Sequence, residues 1–191
     1  MAPETLTEQQ RKWMASVRQS LETSTGRTLA AWVEVARDCP ETTPRGRQHW
    51  LKETHGLGQN YAMLVLGELA RASGEKQRAP EDLAAALWCD PAATAILQRL
   101  RSAIGALPDV VHGQRKGFTS WSGRYAFAAA RPLSGGKVRL GLAVAPEASP
   151  RLVEARREGW SERLKSVLIL DDPDQVDGEV EALLARSRDL S

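Results

Sequence analysis

The chain has 191 residues, a formal net charge of +2, 42% apolar residues and 26% charged ones. That is enough apolar material for one large packed domain or two small ones. Two isolated cysteines, Cys39 and Cys89, exclude a disulfide framework and fall short of a zinc ligand set. No charged-then-apolar leader opens the chain, and no apolar run approaches the ~18 residues of a membrane span. The expected setting is therefore cytoplasmic, with no membrane partner. Arginine greatly outnumbers lysine and alanine is abundant, the composition of a GC-rich bacterial genome.

Residues 1–6 read as a frayed start. Thr7 caps a predicted helix to about Thr23, with Trp13, Val17 and Leu21 in one apolar stripe. Thr28 opens a second helix, with Leu29, Trp32, Val33 and Ala36 on one face, closed by Pro40. Thr43-Pro44 is a cap followed by proline at the first helical position, and Gly56 ends the helix it starts. A fourth helix spans about Gln59–Ser73. Residues 7–73 thus read as a four-helix domain. Residues 74–90 read as a linker or short connecting helix, with the polar run 73–80 as its most open part.

Asp90-Pro91 repeats the cap-plus-proline signal for a helix to about Leu107. After Pro108 the apolar period changes from 3.6 to 2. Strands are predicted at Val110–His112, Lys116–Trp121, Arg124–Ala130 and Lys137–Val144, with turns at Ser122-Gly123 and Ser134-Gly135-Gly136. Pro150–Glu158 reads as a short helix, Leu164–Leu170 as a strand, and Asp172-Pro173 as the start of a last helix. Segregated helices and strands over residues 91–188 predict an α+β sandwich on a mainly antiparallel sheet, so the whole chain is classed as α+β.

Charge is unevenly distributed. Between Ala95 and Ala145 lie eight basic residues and one acidic one, whereas Leu170–Glu181 holds six acidic residues. Arg115, Lys116, Arg124, Arg131 and Arg139 fall on or beside the predicted strands, whose alternation can gather side chains on one sheet face. Trp121 at a hairpin tip, Tyr125 on a strand shared with Phe127, and Trp160 after a glycine are candidate stacking groups beside those arginines.

Two patterns carry family resemblances. Thr25-Gly26-Arg27, then Trp32, the string Trp50 to Gly58 (WLKETHGLG) and Ala62 resemble the helical family known as domain of unknown function 4287. Lys116-Gly117-Phe118, Arg124 to Phe127, the strand Val138 to Leu142, Gly159-Trp160 and the ending Leu170 to Val180 resemble domain of unknown function 5655. The resemblances imply the helical and α+β folds and bring no established activity. The second family is also similar to small α+β domains proposed as carriers or binding modules, a likeness of fold alone.

Catalytic patterns are weak. His49 and His55, six residues apart, face away from each other on a helix, and His112 lies far off in sequence, so no metal set is expected. His55 in a last turn and Gly56 after it suit a helix C-terminus. A helix-turn-helix over residues 44–73 would offer only Gln59 and Asn60 to base edges. Thr119, Ser120 and Ser122 near His112 suit hairpin chemistry. The expectation is a non-catalytic binding module without cofactor. Its basic sheet, with Arg115, Lys116, Trp121, Arg124, Tyr125, Arg131, Arg139 and Trp160, would take an anionic partner: nucleic acid, an acidic protein or a phosphorylated ligand. The alternatives are an enzyme or accessory with an interdomain site near His55 and His112, and a structural or oligomerising protein.

Overall fold

The computed structural model describes residues 7–74 and 79–191. The frayed start expected at 1–6 and residues 75–78 of the expected linker lie outside the described residues. The chain divides into two compact units, one of residues 10–77 and the other of residues 78–191 grouped with those up to Gln9.

The first unit is built from α1 (Glu8–Thr25), α2 (Leu29–Arg37), α3 (Pro44–His55) and α4 (Gln59–Ala72). Thr28 caps α2 by accepting from the Ala31 N–H at 3.2 Å, and Thr43 caps α3 by accepting from Gly46 at 3.0 Å. Gly56 ends α3 in the left-handed region, at φ 69°, where a side chain would be strained. The Leu57 N–H then returns to the Leu51 carbonyl, and both leucines are buried with Leu21, Trp32, Val33 and Val65. The expected stripe on α1 holds only at its C-terminal end. Leu21 is fully buried, Val17 is half-buried and Trp13 is 48% exposed. At 18 residues α1 is longer than α2, α3 or α4, so its stripe runs past the core it shares with them.

The second unit holds α5 (Pro80–Leu87), α6 (Pro91–Gly105), α7 (Gly178–Asp189) and a six-stranded antiparallel sheet. The strands are β1 (Val111–Gln114), β2 (Thr119–Ser122), β3 (Ala126–Pro132), β4 (Val138–Leu142), β5 (Val153–Glu154) and β6 (Ser166–Leu170), in the order β1-β2-β3-β4-β6-β5. This is an α+β fold, with seven helices among the described residues. Among those residues no helix is long and apolar enough to cross a membrane.

One sheet face is the core. Ala128, Ala130, Leu140, Leu142, Leu168 and Leu170 alternate toward Ile96, Leu97, Leu100 and Ile104 of α6 and Val180, Leu183 and Leu184 of α7. Asp90 caps α6, accepting from Ala92 and Ala93 at 2.9 and 3.2 Å. Just before it, Trp88 is buried in the same core and donates its indole N–H to Thr119 at 2.9 Å. Ala84 and Leu87 of α5 pack against that core too. Ser187 of α7 is fully buried, donating to the Phe127 carbonyl at 2.7 Å and accepting from the Ala143 N–H at 2.6 Å.

Several local expectations are corrected. Residues 115–118 form a turn, closed by the Arg115 N–H on the Phe118 carbonyl at 2.9 Å, so β2 begins at Thr119. Trp121 is not at a hairpin tip. It points inward from β2 opposite Ala128 and is fully buried. A register irregularity follows at Trp121/Ser122, and Phe127 also lies in the core while Tyr125 stays in the turn. The helix expected at Pro150–Glu158 is absent. Val153 and Glu154 pair with Val167 and Ser166 instead, completing the sheet edge. Asp172 starts only a single 3-10 turn; Asp177 caps α7, accepting from Val180 at 3.0 Å.

Asp177 and Glu179 also share Arg151, whose Nη1 donates to them at 2.8 and 3.3 Å. The Val180 N–H and then Arg151 hold Asp177 below its ordinary range, and the Ser149 hydroxyl and then Arg151 do the same for Glu179. Carboxylates with depressed values stabilise the fold above their unfolded pKa of about 4, and that contribution is lost as pH falls further. Denaturant midpoints should therefore drop on acidification below about pH 4. The drop should be shallower in the variant Asp177→Asn with Glu179→Gln, and unchanged slopes would contradict the assignment. Trp121→Ala should cost roughly 3–5 kcal/mol in urea unfolding, as for a buried large aromatic. A cost below about 1 kcal/mol, usual for surface positions, would return Trp121 to the surface.

Candidate anion-binding site

The register places Arg131 of β3 opposite Arg139 of β4, and Arg139 opposite Ile169 of β6. These residues alternate away from the core, as do Ala129, Gly141 and Val167 one step along. The loop of residues 155–165 between β5 and β6 reaches over part of it, through Glu158 and Trp160.

Glu158 of that loop ties the arginine pair together. Its carboxylate accepts from Arg139 Nη1 at 2.9 and 3.1 Å and from Arg131 Nη2, and its backbone carbonyl accepts from Arg131 Nη1 at 2.9 Å. The Glu158 side chain is only 5% exposed, so these are charge-assisted bonds in a sheltered place. Two residues on, Trp160 lies flat over Gly141: a Cβ there would meet the indole at 2.7 Å. The Arg131 guanidinium sits 5.1 Å from the Trp160 ring, and Phe118 meets its edge at 6.3 Å. Trp160 is thus half-buried as a cover for the sheet, and its indole N–H is buried without a partner, as is Arg139 Nε.

The structure does not gather the eight expected binding residues into one surface. Trp121 is in the core, and Arg131, Arg139 and Trp160 are engaged with the loop. Arg115 and Lys116 are exposed in the β1–β2 turn, whereas Arg124 and Tyr125 lie in the β2–β3 turn at the other end of β2.

That second turn gathers cationic side chains from three elements. Arg124 lies 5.4 Å from the Tyr125 ring centre, and Arg163, from the covering loop, lies 3.7 Å from it. Arg188 of α7 packs beside Gly123, held by the Pro108 carbonyl at 3.1 Å. Among the described residues none of these three guanidiniums has a carboxylate within ion-pair distance. Arg124 and Arg163 are both exposed. Arg163 and Arg188 were not anticipated from sequence. Nothing in the run GWSERLK predicts that its loop reaches back to Tyr125, and Arg188 sits on a helix read only for its apolar stripe.

The histidines are engaged separately. His55 lies in the helical unit, with its ring 4.7 Å from Trp50 and 5.8 Å from Trp32, both edge-on. His112 lies on β1, lowered from its usual pKa first by burial and then by the charge of Arg101. Among the described residues no three of His, Cys, Asp or Glu come together as a metal-binding group.

No curated protein and no solved structure matches this chain. Residues 13–71 match the model of a domain of unknown function (DUF4287). Residues 84–191, more than half of the chain, match that of a second domain of unknown function (DUF5655), and the chain belongs to that family.

Proposed function

We propose that the α+β unit is a non-catalytic binding module that takes a discrete anionic group at the β2–β3 turn, through Arg124 and Arg163 around Tyr125 and Arg188 beside Gly123. The observation that carries this reading is the pair of guanidiniums on one ring, with a third beside the neighbouring Gly123 and no carboxylate among the described residues within ion-pair distance of them. A guanidinium stays charged at every physiological pH and offers a planar fork of donors to carboxylate or phosphate. Stacking on Tyr125 fixes two of the forks, which lessens the entropy lost on binding.

These groups hold charge rather than pass protons near neutral pH, so the reading is one of binding and not of catalysis. With Arg131 and Arg139 engaged by Glu158, and Arg115 and Lys116 at the far turn, the cations favour one compact contact over a groove that tracks a polymer. A phosphoryl group or a carboxylate on an acidic protein suits this better than sequence-independent nucleic acid binding. The reading includes a bacterial, cytoplasmic setting, supported by the composition and by the two unpaired thiols of Cys39 and Cys89.

The test is titration of the full chain with a phosphoserine peptide, a poly-glutamate peptide and labelled single-stranded DNA at low salt. Arg124→Ala and Arg163→Ala should each weaken the preferred anion at least about tenfold, the scale of one charge-assisted contact. Lys116→Ala should leave it within about twofold, because its contact would be absent. For DNA the dependence of log K on log salt should be shallow, at about two phosphates' worth. Native-like binding by both arginine variants, or a slope of six phosphates or more, would overturn the reading.

A further inference from the structure

The helical unit carries two clefts of different chemistry that share one residue. The first, of about 450 Å3, lies between α1 and the start of α4; Trp13, Ser16, Val17, Ser20 and Tyr61 are among its walls. Its Trp13 indole is 48% exposed, although it continues the apolar stripe of α1. The Tyr61 hydroxyl is fixed by Ser20 at 2.7 Å, which stiffens the wall facing Trp13. No lining side chain carries a charge. The second cleft, of about 210 Å3, is lined by Arg45, Gln48, His49 and Lys52 of α3 with Leu57. Positions 45, 48, 49 and 52 fall on one helix face by their spacing of three and four. Its lining contains no carboxylate; Glu53, outside it, lies 3.6 Å from Lys52 and 4.0 Å from His49 on an exposed face. Arg45 has no ion pair among the described residues. Gln59, the first residue of α4, lines both clefts. Gly58 before it adds no side chain to the junction.

An uncharged cleft with an exposed indole wall, hydroxyls and amides receives a flat ring with hydrogen-bonding edges. An adjoining cleft of arginine, lysine and histidine receives a phosphate. We propose that the clefts on either side of Gln59 form a bipartite nucleotide site, with the base against Trp13 and the phosphate between Arg45 and Lys52. The site is separate from the Tyr125 cluster and does not rest on it. The ligand is a nucleobase joined to a phosphate, whether a free mononucleotide or the end of a 5′-phosphorylated strand.

The experiment is calorimetric titration of the full chain with adenosine monophosphate, adenosine, inorganic phosphate, and a trinucleotide with and without a 5′-phosphate. Adenosine monophosphate should bind at least about tenfold more tightly than adenosine or phosphate, because both clefts are filled at once. Trp13→Ala, a change at an exposed position, should weaken it roughly tenfold and leave phosphate binding unchanged. Arg45→Ala with Lys52→Ala should remove the advantage over adenosine. Arg124→Ala with Arg163→Ala should leave all of these values as they are, which separates this site from the other. Tighter binding of the 5′-phosphorylated trinucleotide than of the mononucleotide would identify a strand end as the source, and the reverse a free nucleotide. The proposal is overturned if the mononucleotide binds no better than its parts. It is also overturned if Trp13→Ala, with native circular dichroism, binds the mononucleotide like the parent chain.

Discussion

The α+β unit depends on one ionic knot, the carboxylate of Glu158 between Arg131 and Arg139. Two arginines on adjacent strands, in register, would repel each other on an open face. A single carboxylate answers both, with three bonds from their guanidiniums at hydrogen-bond range and a fourth from Arg131 to its own carbonyl. The knot is sheltered rather than solvated, and breaking such a pair costs more than forming it gains, because the partner is left charged in a dry place. It also fixes the loop of residues 155–165. Once Glu158 is anchored, Trp160 falls over Gly141, where the sheet offers no side chain to obstruct it. The loop thus shelters the part of the outer face around Arg131, Arg139 and Gly141, while Ile169 on the same face stays 51% exposed.

The local signals in the sequence were the dependable ones. Thr28, Thr43 and Asp90 cap their helices through their own side chains, and Pro44 and Pro91 follow two of them. Each is a short-range arrangement within one turn, so a linear reading recovers it. The same holds for Gly56, which closes α3 with a left-handed backbone. The sheet was legible in five of its six strands, the edge strand β1 included, because their apolar alternation and turn residues are local signals. The other edge, β5, was not. Val153 and Glu154 are exposed and pair only through their backbones with β6, so their side chains carry no pattern that separates strand from helix.

The binding surface was legible only as a count of charges. Eight basic residues against one acidic residue over 95–145 is a property of the string, and a surface is a property of the fold. Glu158 lies outside that window, 27 residues from Arg131 and 19 from Arg139, and it removes two members of the set at once. Lys137 meets Asp171 at 3.9 Å across the edge of β4 and β6, a weaker case of the same effect. Trp121 was misplaced because a hairpin tip and an inward strand position differ by a residue or two, and that step turns a side chain to the opposite face. Trp13 erred the other way: its spacing is that of a core residue, and only the length of α1 relative to its neighbours exposes it.

The loop that neutralises one end of the sheet also supplies the other end with its cation. Glu158 and Arg163 lie on the same stretch, which is anchored at both ends by pairing across Ala155 and Lys165, whose N–H and carbonyl meet at 2.9 Å. Between them Trp160 is held against Gly141 and under Arg131. Arg163 meets Tyr125 at 3.7 Å from a loop with three fixed points, so its guanidinium is placed by packing rather than left to explore. An arginine on a free loop would give up more rotamer freedom on meeting an anion. The knot at Arg131 and Arg139 withdraws two charges from solvent, and the loop it anchors presents another beside Tyr125.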